Sequence, residues 1–426
     1  MQAKFTEKEY VVTLIFATSL FTLWGIAITM GDVLNKHFQN VLQVSKANSG
    51  LVQLSLFGAY AVMGIPAGLV MKRFGYKKGV LFGLTLYAIG AFLFVPAANS
   101  FSFTAFRLAL FVLACGLATL EAVAHPFVAA LGDQRTSDRR INLAHAFNGI
   151  GAVSGPQIGR HFLFTAVAGA TVVGTNDSLN SVKTLYVLIG CMVAAVGLAF
   201  SFVKVPPLNN PHDATPENTE TALNVDTEPS KTLFQHQHFV WAAVAQLFNV
   251  AAQGGTWAFF INYGHEVMKF TDATAANYFS VSMAMMMIGR FTGTWFMKFI
   301  APNKLLAIYA GANILMCLIV AQGWGWVSFI ALLFINFFFS IMFPTIFSLG
   351  LKNLGRHSQL ASSYITMGVV GGAFMPYIMG KIANQNVAHA YYLPIICYLV
   401  VCLFGIRLYK VKHRRKEVEL ASDVTS

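Results

Sequence analysis

Leu108-Ala109-Leu110-Phe111-Val112-Leu113-Ala114-Cys115-Gly116-Leu117-Ala118-Thr119-Leu120-Glu121-Ala122-Val123-Ala124-His125-Pro126-Phe127-Val128-Ala129-Ala130 is an apolar run with one carboxylate near its middle. As a helix, about 20 apolar residues cross roughly 30 Å of hydrocarbon. An acid at the centre costs about 2.5–3.5 kcal/mol on insertion scales, so a chain keeps one there chiefly for transport chemistry. Of 17 acidic residues, only Glu121 and Asp32 fall deep inside segments of this kind.

The run is one of many. At 56% hydrophobic and 11% charged over 426 residues, the chain holds more apolar sequence than a soluble core of that length can bury. An integral membrane protein follows. Twelve spans are predicted, at 10–35, 50–71, 79–97, 102–131, 142–169, 184–204, 238–266, 274–297, 305–322, 325–351, 358–381 and 388–409. The first follows a polar start without a small-residue cleavage pattern, which reads as a retained helix and not a signal peptide. Placing both termini in the cytoplasm puts 21 of the 29 Lys and Arg residues on that side. Basic residues near span ends resist translocation, so that orientation is expected, in an inner cell membrane. The net charge of +12 needs no nucleic acid to explain it.

Between spans 6 and 7 the chain turns polar, with Pro206, Pro207, Pro211, Pro216 and Pro229, which is linker composition. The expected organisation is a six-helix bundle over 1–204, a cytoplasmic linker over 205–237, a second bundle over 238–409 and a tail over 410–426. The halves repeat. Pro126-Phe127-Val128-Ala129-Ala130-Leu131-Gly132 answers Pro344-Thr345-Ile346-Phe347-Ser348-Leu349-Gly350, and Gly151 with Pro156 answers Gly371 with Pro376, at offsets of 218 and 220. Met71-Lys72 with Lys78 answers Met297-Lys298 with Lys304. A duplicated six-helix unit resembles the major facilitator superfamily and implies its all-α fold, two pseudo-symmetric bundles around a midplane cavity. In the basic loop Gly68-Leu69-Val70-Met71-Lys72-Arg73-Phe74-Gly75-Tyr76-Lys77-Lys78, Lys72 stands where the superfamily signature has an acid.

A narrower resemblance covers nearly the whole chain. Trp24 with Asp32-Val33-Leu34, Gly116-Leu117 leading to Leu120-Glu121, Asn142-Leu143-Ala144 with Phe147-Asn148, Ala275-Ala276-Asn277-Tyr278, and Gly289-Arg290-Phe291-Thr292-Gly293-Thr294-Trp295 are similar to the fucose:proton symporter family. So is Lys352-Asn353-Leu354-Gly355 after span 10. The resemblance implies import of a monosaccharide with a proton, with Asp32 and Glu121 as the functional carboxylates, and adds Trp24 and Asn277 to the candidate sugar contacts. The proton is the coupling ion and no other cofactor is implied. The expected partners are the sugar and membrane lipid, the expected state a monomer.

Residue chemistry gives a parallel reading. Burial disfavours the charged form of a carboxylate, which suits proton exchange. For Glu121 the structural alternative is pairing with His125, one turn on, or with Arg107. For Asp32 it is an i, i+4 pair with Lys36. In span 7, Gln246, Asn249, Gln253, Trp257 and Phe260 share one helical face and offer amides and an aromatic surface for a sugar. Gly254-Gly255 would permit that helix to bend. Span 5 adds Asn142, His145 and Asn148. His145 replaces a Gln of the fucose-carrying members, His125 an Asn, and Ile28-Thr29 a pair of Asn, so the cargo could be another hexose, such as glucose or galactose, or an amino sugar such as N-acetylglucosamine.

Other classes compete less well. Gly151-Ala152-Val153-Ser154-Gly155-Pro156-Gln157-Ile158-Gly159 resembles an element of proton-coupled drug antiporters, yet glycines at spacing four also make a helix-packing face. No enzyme motif of the His-Glu-x-x-His, Gly-x-Ser-x-Gly or Walker type occurs, and the five cysteines lie in apolar spans without metal spacing, as buried thiols.

Overall fold

The computed structural model describes residues 5–132, 137–165, 175–205, 232–352, 354 and 358–410. The path is helical throughout, with no strand among these residues. The first half contributes α1 (Val11–Val41), α2 (Lys46–Met71), α3 (Arg73–Asn99), α4 (Phe103–Ala130), α5 (Ser137–Gly159, continued by a π turn Arg160–Thr165) and α6 (Thr175–Phe202). The second contributes α7 (Gln237–Ala258, then Phe260–Glu266), α8 (Asp272–Phe296), α9 (Pro302–Ala321), α10 (Trp326–Gly350), α11 (Ser358–Met367, then Gly371–Ala383) and α12 (His389–Leu408). Nine of these are long and apolar enough to span a membrane by that measure alone. The other three, α5, α7 and α8, carry the polar candidates His145 and Asn148, Gln246, Asn249 and Gln253, and Asn277 and Arg290. The predicted linker falls largely on residues 206–231, and the tail on 411–426, outside the described residues.

Exposed apolar side chains such as Ile15, Ile65, Leu69, Leu108, Leu198 and Phe291 cover the outside, the surface a lipid solvent requires. Cys115, Cys317 and Cys397 are buried and Cys402 is half-buried, but Cys191 is exposed. The expectation of five buried thiols fails there, because an apolar span does not tell which of its faces meets the bundle. Between α2 and α3 the backbone passes through Gly75 at φ 80, ψ 173, a region essentially restricted to glycine, and this places the glycine of the basic loop at the reversal.

The sequence repeat is a repeat of packing. Gly151 of α5 lies against the Thr22 carbonyl and the Ile26 amide of α1, and Gly371 of α11 against the Leu247 carbonyl and the Ala251 amide of α7. Both crossings let backbone meet backbone, which only a missing Cβ permits. Gly155 and Gly159 extend the first contact along Thr29 and Val33, so the antiporter-like element is accounted for by packing. Gly254 meets the Gly372 backbone in the same way, and Gly255 leaves room for the Met379 side chain. The helix break in α7 falls at Phe259, past these glycines, and the Asn35 amide of α1 donates to the Ala258 carbonyl at 2.8 Å beside it. An irregular turn at membrane depth stands only where such partners satisfy it.

That last bond belongs to a set joining the halves at the end away from the chain termini. Gln39 and Asn262 exchange amide hydrogen bonds, and Asn40 donates to Asp272 at 2.6 Å. Lys36 stands 3.9 Å from Asp272, and His265 Nδ1 2.9 Å from the same carboxylate. Lys46 reaches Glu266 at 2.7 Å and donates to the Ala383 carbonyl at 2.6 Å. A hydrogen bond to a charged group contributes about 1.5–3 kcal/mol, and partial exposure lowers that. Lys46→Ala is expected to raise the population opened at this end about fivefold. Distances between spin labels at Val44→Cys and Asn386→Cys read the change; an unaltered distribution refutes it.

Candidate functional site

Glu121 lies on the inner side of α4, about 13 Å along the axis from the end that leads to Leu131. Its carboxyl is the one charge in a pocket formed with Leu20, Phe21, Trp24, Leu120 and Ala124. Oε2 is buried and has no hydrogen-bond partner among the described residues. The Tyr60 hydroxyl of α2 faces this carboxyl. It is held there from α1, where the Trp24 indole N–H donates to the Tyr60 oxygen at 2.6 Å, leaving the phenol hydrogen free for the carboxyl. Three helices of one half thus converge on a single titratable group.

The structural alternatives for Glu121 do not hold its carboxyl. His125 Nδ1 hydrogen-bonds the main-chain carbonyl of Glu121 at 2.8 Å, not its side chain. Arg107 lies nearly four turns away, its guanidinium over the Phe103 ring at 5.8 Å. His125 Nε2 faces His145 Nε2 of α5 at 3.2 Å, and both rings pack edge-on to Phe21.

Asp32 is buried, 3% exposed, and accepts a hydrogen bond from Gln53 of α2 at 2.5 Å. Lys36 pairs across the halves with Asp272, so the i, i+4 pair does not form. Eight residues of α1 separate Asp32 from Trp24, about 12 Å along the axis, so the two acids are not brought to one point. Asn148 spends its amide on the Phe21 carbonyl at 3.2 Å, fastening α5 to α1. The side chain of Asn142 is outside the described set.

In the other half, the Trp257 indole donates to Asn336 of α10 at 2.7 Å, and Asn336 in turn to Ser282 of α8 at 2.8 Å. Trp257 is therefore a strut within its own bundle, not a free sugar platform in this conformation. Phe260 packs on Phe279 and Phe329. Gln246 and Asn249 are wholly buried, and all four of their amide atoms lack partners among the described residues. Buried amides left unpaired cost about 1–3 kcal/mol each, which marks them as groups with bonds still to make. Gln253 and Asn277 are half-buried. The first half thus offers a carboxyl pocket and the second a pair of buried, unpaired amides. Sequence reasoning missed Tyr60, Gln53, Asn336 and Ser282; a lone tyrosine in the apolar run of α2 was the available signal for the first.

No group of three or more metal-ligating side chains occurs among the described residues. The Major Facilitator Superfamily profile matches residues 10–376. The L-fucose-proton symporter of Escherichia coli K12 is 36% identical over 93% of this chain and 93% of its own. A glucose/galactose transporter of Brucella abortus is 34% identical, over 94% and 95%. A crystal structure of a fucose:proton symporter in the outward conformation superposes with a TM-score of 0.68 at 34% identity, covering 95% of this chain and all of that one.

Proposed function

Because the chain belongs to the major facilitator superfamily, we propose that it is a proton-coupled monosaccharide symporter, importing a hexose or an L-fucose-like deoxyhexose by alternating access. It is a carrier and not an enzyme. The observation that carries the reading is the Glu121 carboxyl, one oxygen unpartnered, set at membrane depth against Tyr60 and Trp24. A group so placed binds a proton without a competing ion pair, and a neutral site moves across the membrane at less cost than a charged one. Relatives named for L-fucose and for glucose and galactose support a sugar cargo.

The proton is the coupling ion, no further cofactor is invoked, and the working unit is a monomer in lipid. The excess of basic residues on one set of loops supports a cytoplasmic membrane location with both termini inside. On that orientation the clasped end faces outward, and the present conformation is closed to the outside. When the outer end opens, Glu121 takes up a proton, sugar binds between the amides of α7 and the polar residues of α1, and rocking of the halves exposes both to the cytoplasm.

Proteoliposomes with an acid exterior test this. Labelled L-fucose, D-galactose, D-glucose and N-acetylglucosamine are offered in turn. At least one is expected to accumulate, with alkalinisation of the medium. Accumulation of none, or uptake indifferent to the pH gradient, refutes the proposal.

A further inference from the structure

We propose that the His125–His145 pair is the exit station for the coupled proton, taking it from Glu121 and passing it to water at the end that bears the termini. The inference rests on the symport reading and concerns a step that reading leaves open.

Hydrogen bonding fixes the tautomers. His125 Nδ1 faces the Glu121 carbonyl at 2.8 Å, an acceptor with no hydrogen of its own, so Nδ1 carries the proton and donates it. Nε2 of a neutral His125 is then an acceptor, and the 3.2 Å approach of His145 requires that His145 Nε2 carry a hydrogen and donate it. One basic nitrogen is left in the pair, His145 Nδ1. It accepts one proton, and the His145 Nε2 donor keeps its bond. A second proton would set N–H against N–H, so the pair holds one at a time.

Position suits the role. His125 follows Glu121 by one turn of α4, about 6 Å nearer the end bearing the termini. Both rings are half-buried and pinned against Phe21, which also lines the Glu121 pocket. The transfer balances through a bridging water: the O–H bond of the Glu121 carboxyl breaks as its proton passes to the water, the water gives one of its own to His145 Nδ1, forming an N–H bond, and carboxylate and imidazolium result. That N–H bond then breaks to water and the neutral pair is restored.

The groups around the pair come from both halves. α8 of the other half packs on α5, with the Met287 side chain beside Gly149 one turn past His145, and Arg290, three residues after Met287, has an Nε with no partner among the described residues. From α4, Glu121 faces the pocket; from α2, Tyr60 faces Glu121; on α5, Arg140 is turned away to the Val128 and Phe5 carbonyls. α1 presents Phe21.

The test replaces both rings by amides, which keep hydrogen bonding but bind no proton: His125→Asn with His145→Gln. Sugar-evoked proton uptake and equilibrium exchange of labelled sugar are measured in the same vesicles, with the lumen set between about pH 5 and 8, the range over which histidine titrates. The double variant is expected to lose at least about tenfold more proton-coupled flux than exchange, and its flux to lose its dependence on lumenal pH. Equal loss of both rates would assign the pair to sugar contact and overturn the proposal; so would a retained pH dependence. Wild-type vesicles without sugar-evoked proton movement would refute symport itself, a result read separately from the variant.

Discussion

Glu121→Gln vesicles with an acid exterior reach sugar equilibrium and go no further. With one proton per sugar, each unit of pH gradient drives about tenfold accumulation, since a pH unit and a tenfold concentration ratio are the same free energy. The glutamine keeps the size of the side chain and an oxygen for the Tyr60 hydroxyl, but it cannot take up a proton. The accumulation ratio is therefore expected to fall from about tenfold per pH unit to about one. Glu121→Ala does further harm. It strips the acceptor that faces Tyr60, a phenol 5% exposed and already receiving the Trp24 indole N–H, and an unsatisfied buried hydroxyl costs about 1–3 kcal/mol. Equilibrium exchange is expected to drop in the alanine variant as well. Proton-driven accumulation surviving in both variants would remove Glu121 from the coupling role.

Gly371→Ala is expected to be the most damaging single methyl in the second half. Its Cβ would fall on the Leu247 carbonyl oxygen, with the Ala251 amide close behind, and neither can swing aside as a side chain does. Relief comes only by parting α11 from α7, which also loosens Gly254 from Gly372. Overpacking of this kind costs about 1–3 kcal/mol when side chains can adjust, so a backbone clash is placed at about 3 kcal/mol or more. Gly151→Ala meets the Thr22 carbonyl in the same way and is expected to match it. Gly311→Ala serves as the contrast, since nothing lies within 4 Å of its added Cβ; helix propensity there predicts neutral to slightly stabilising behaviour. Melting of the detergent-solubilised protein compares the three, and equal midpoints for Gly371→Ala and Gly311→Ala would refute the packing account.

Much of this is legible in the amino-acid sequence. Spacing of glycines marked the α5 face that meets α1, and the offset joining Gly151 to Gly371 became a repeated backbone contact. The periodicity of α7 put Gln246, Asn249, Gln253, Trp257 and Phe260 on one face, but periodicity has no means of naming the neighbour of that face. Trp257 was expected at a sugar and is engaged by Asn336. Asn148 was expected in the same place and holds the Phe21 carbonyl. Asp32, open between cavity and interface, turned to Gln53 because Lys36 had a better partner in Asp272 across the halves.

Apolar length, a buried acid, an internal repeat and the family resemblance already specify a twelve-span duplicated carrier with a carboxylate kept in the membrane. Those properties are sums over local stretches: apolar length against hydrocarbon thickness, charge against the cost of burying it, and one pattern against its copy. Tertiary structure alone decided which polar group answers which. Tyr60 came to Glu121, His145 to His125, and Lys46 to Glu266 because partner choice depends on the depth and rotation of each helix, and those are set by twelve helices packing together.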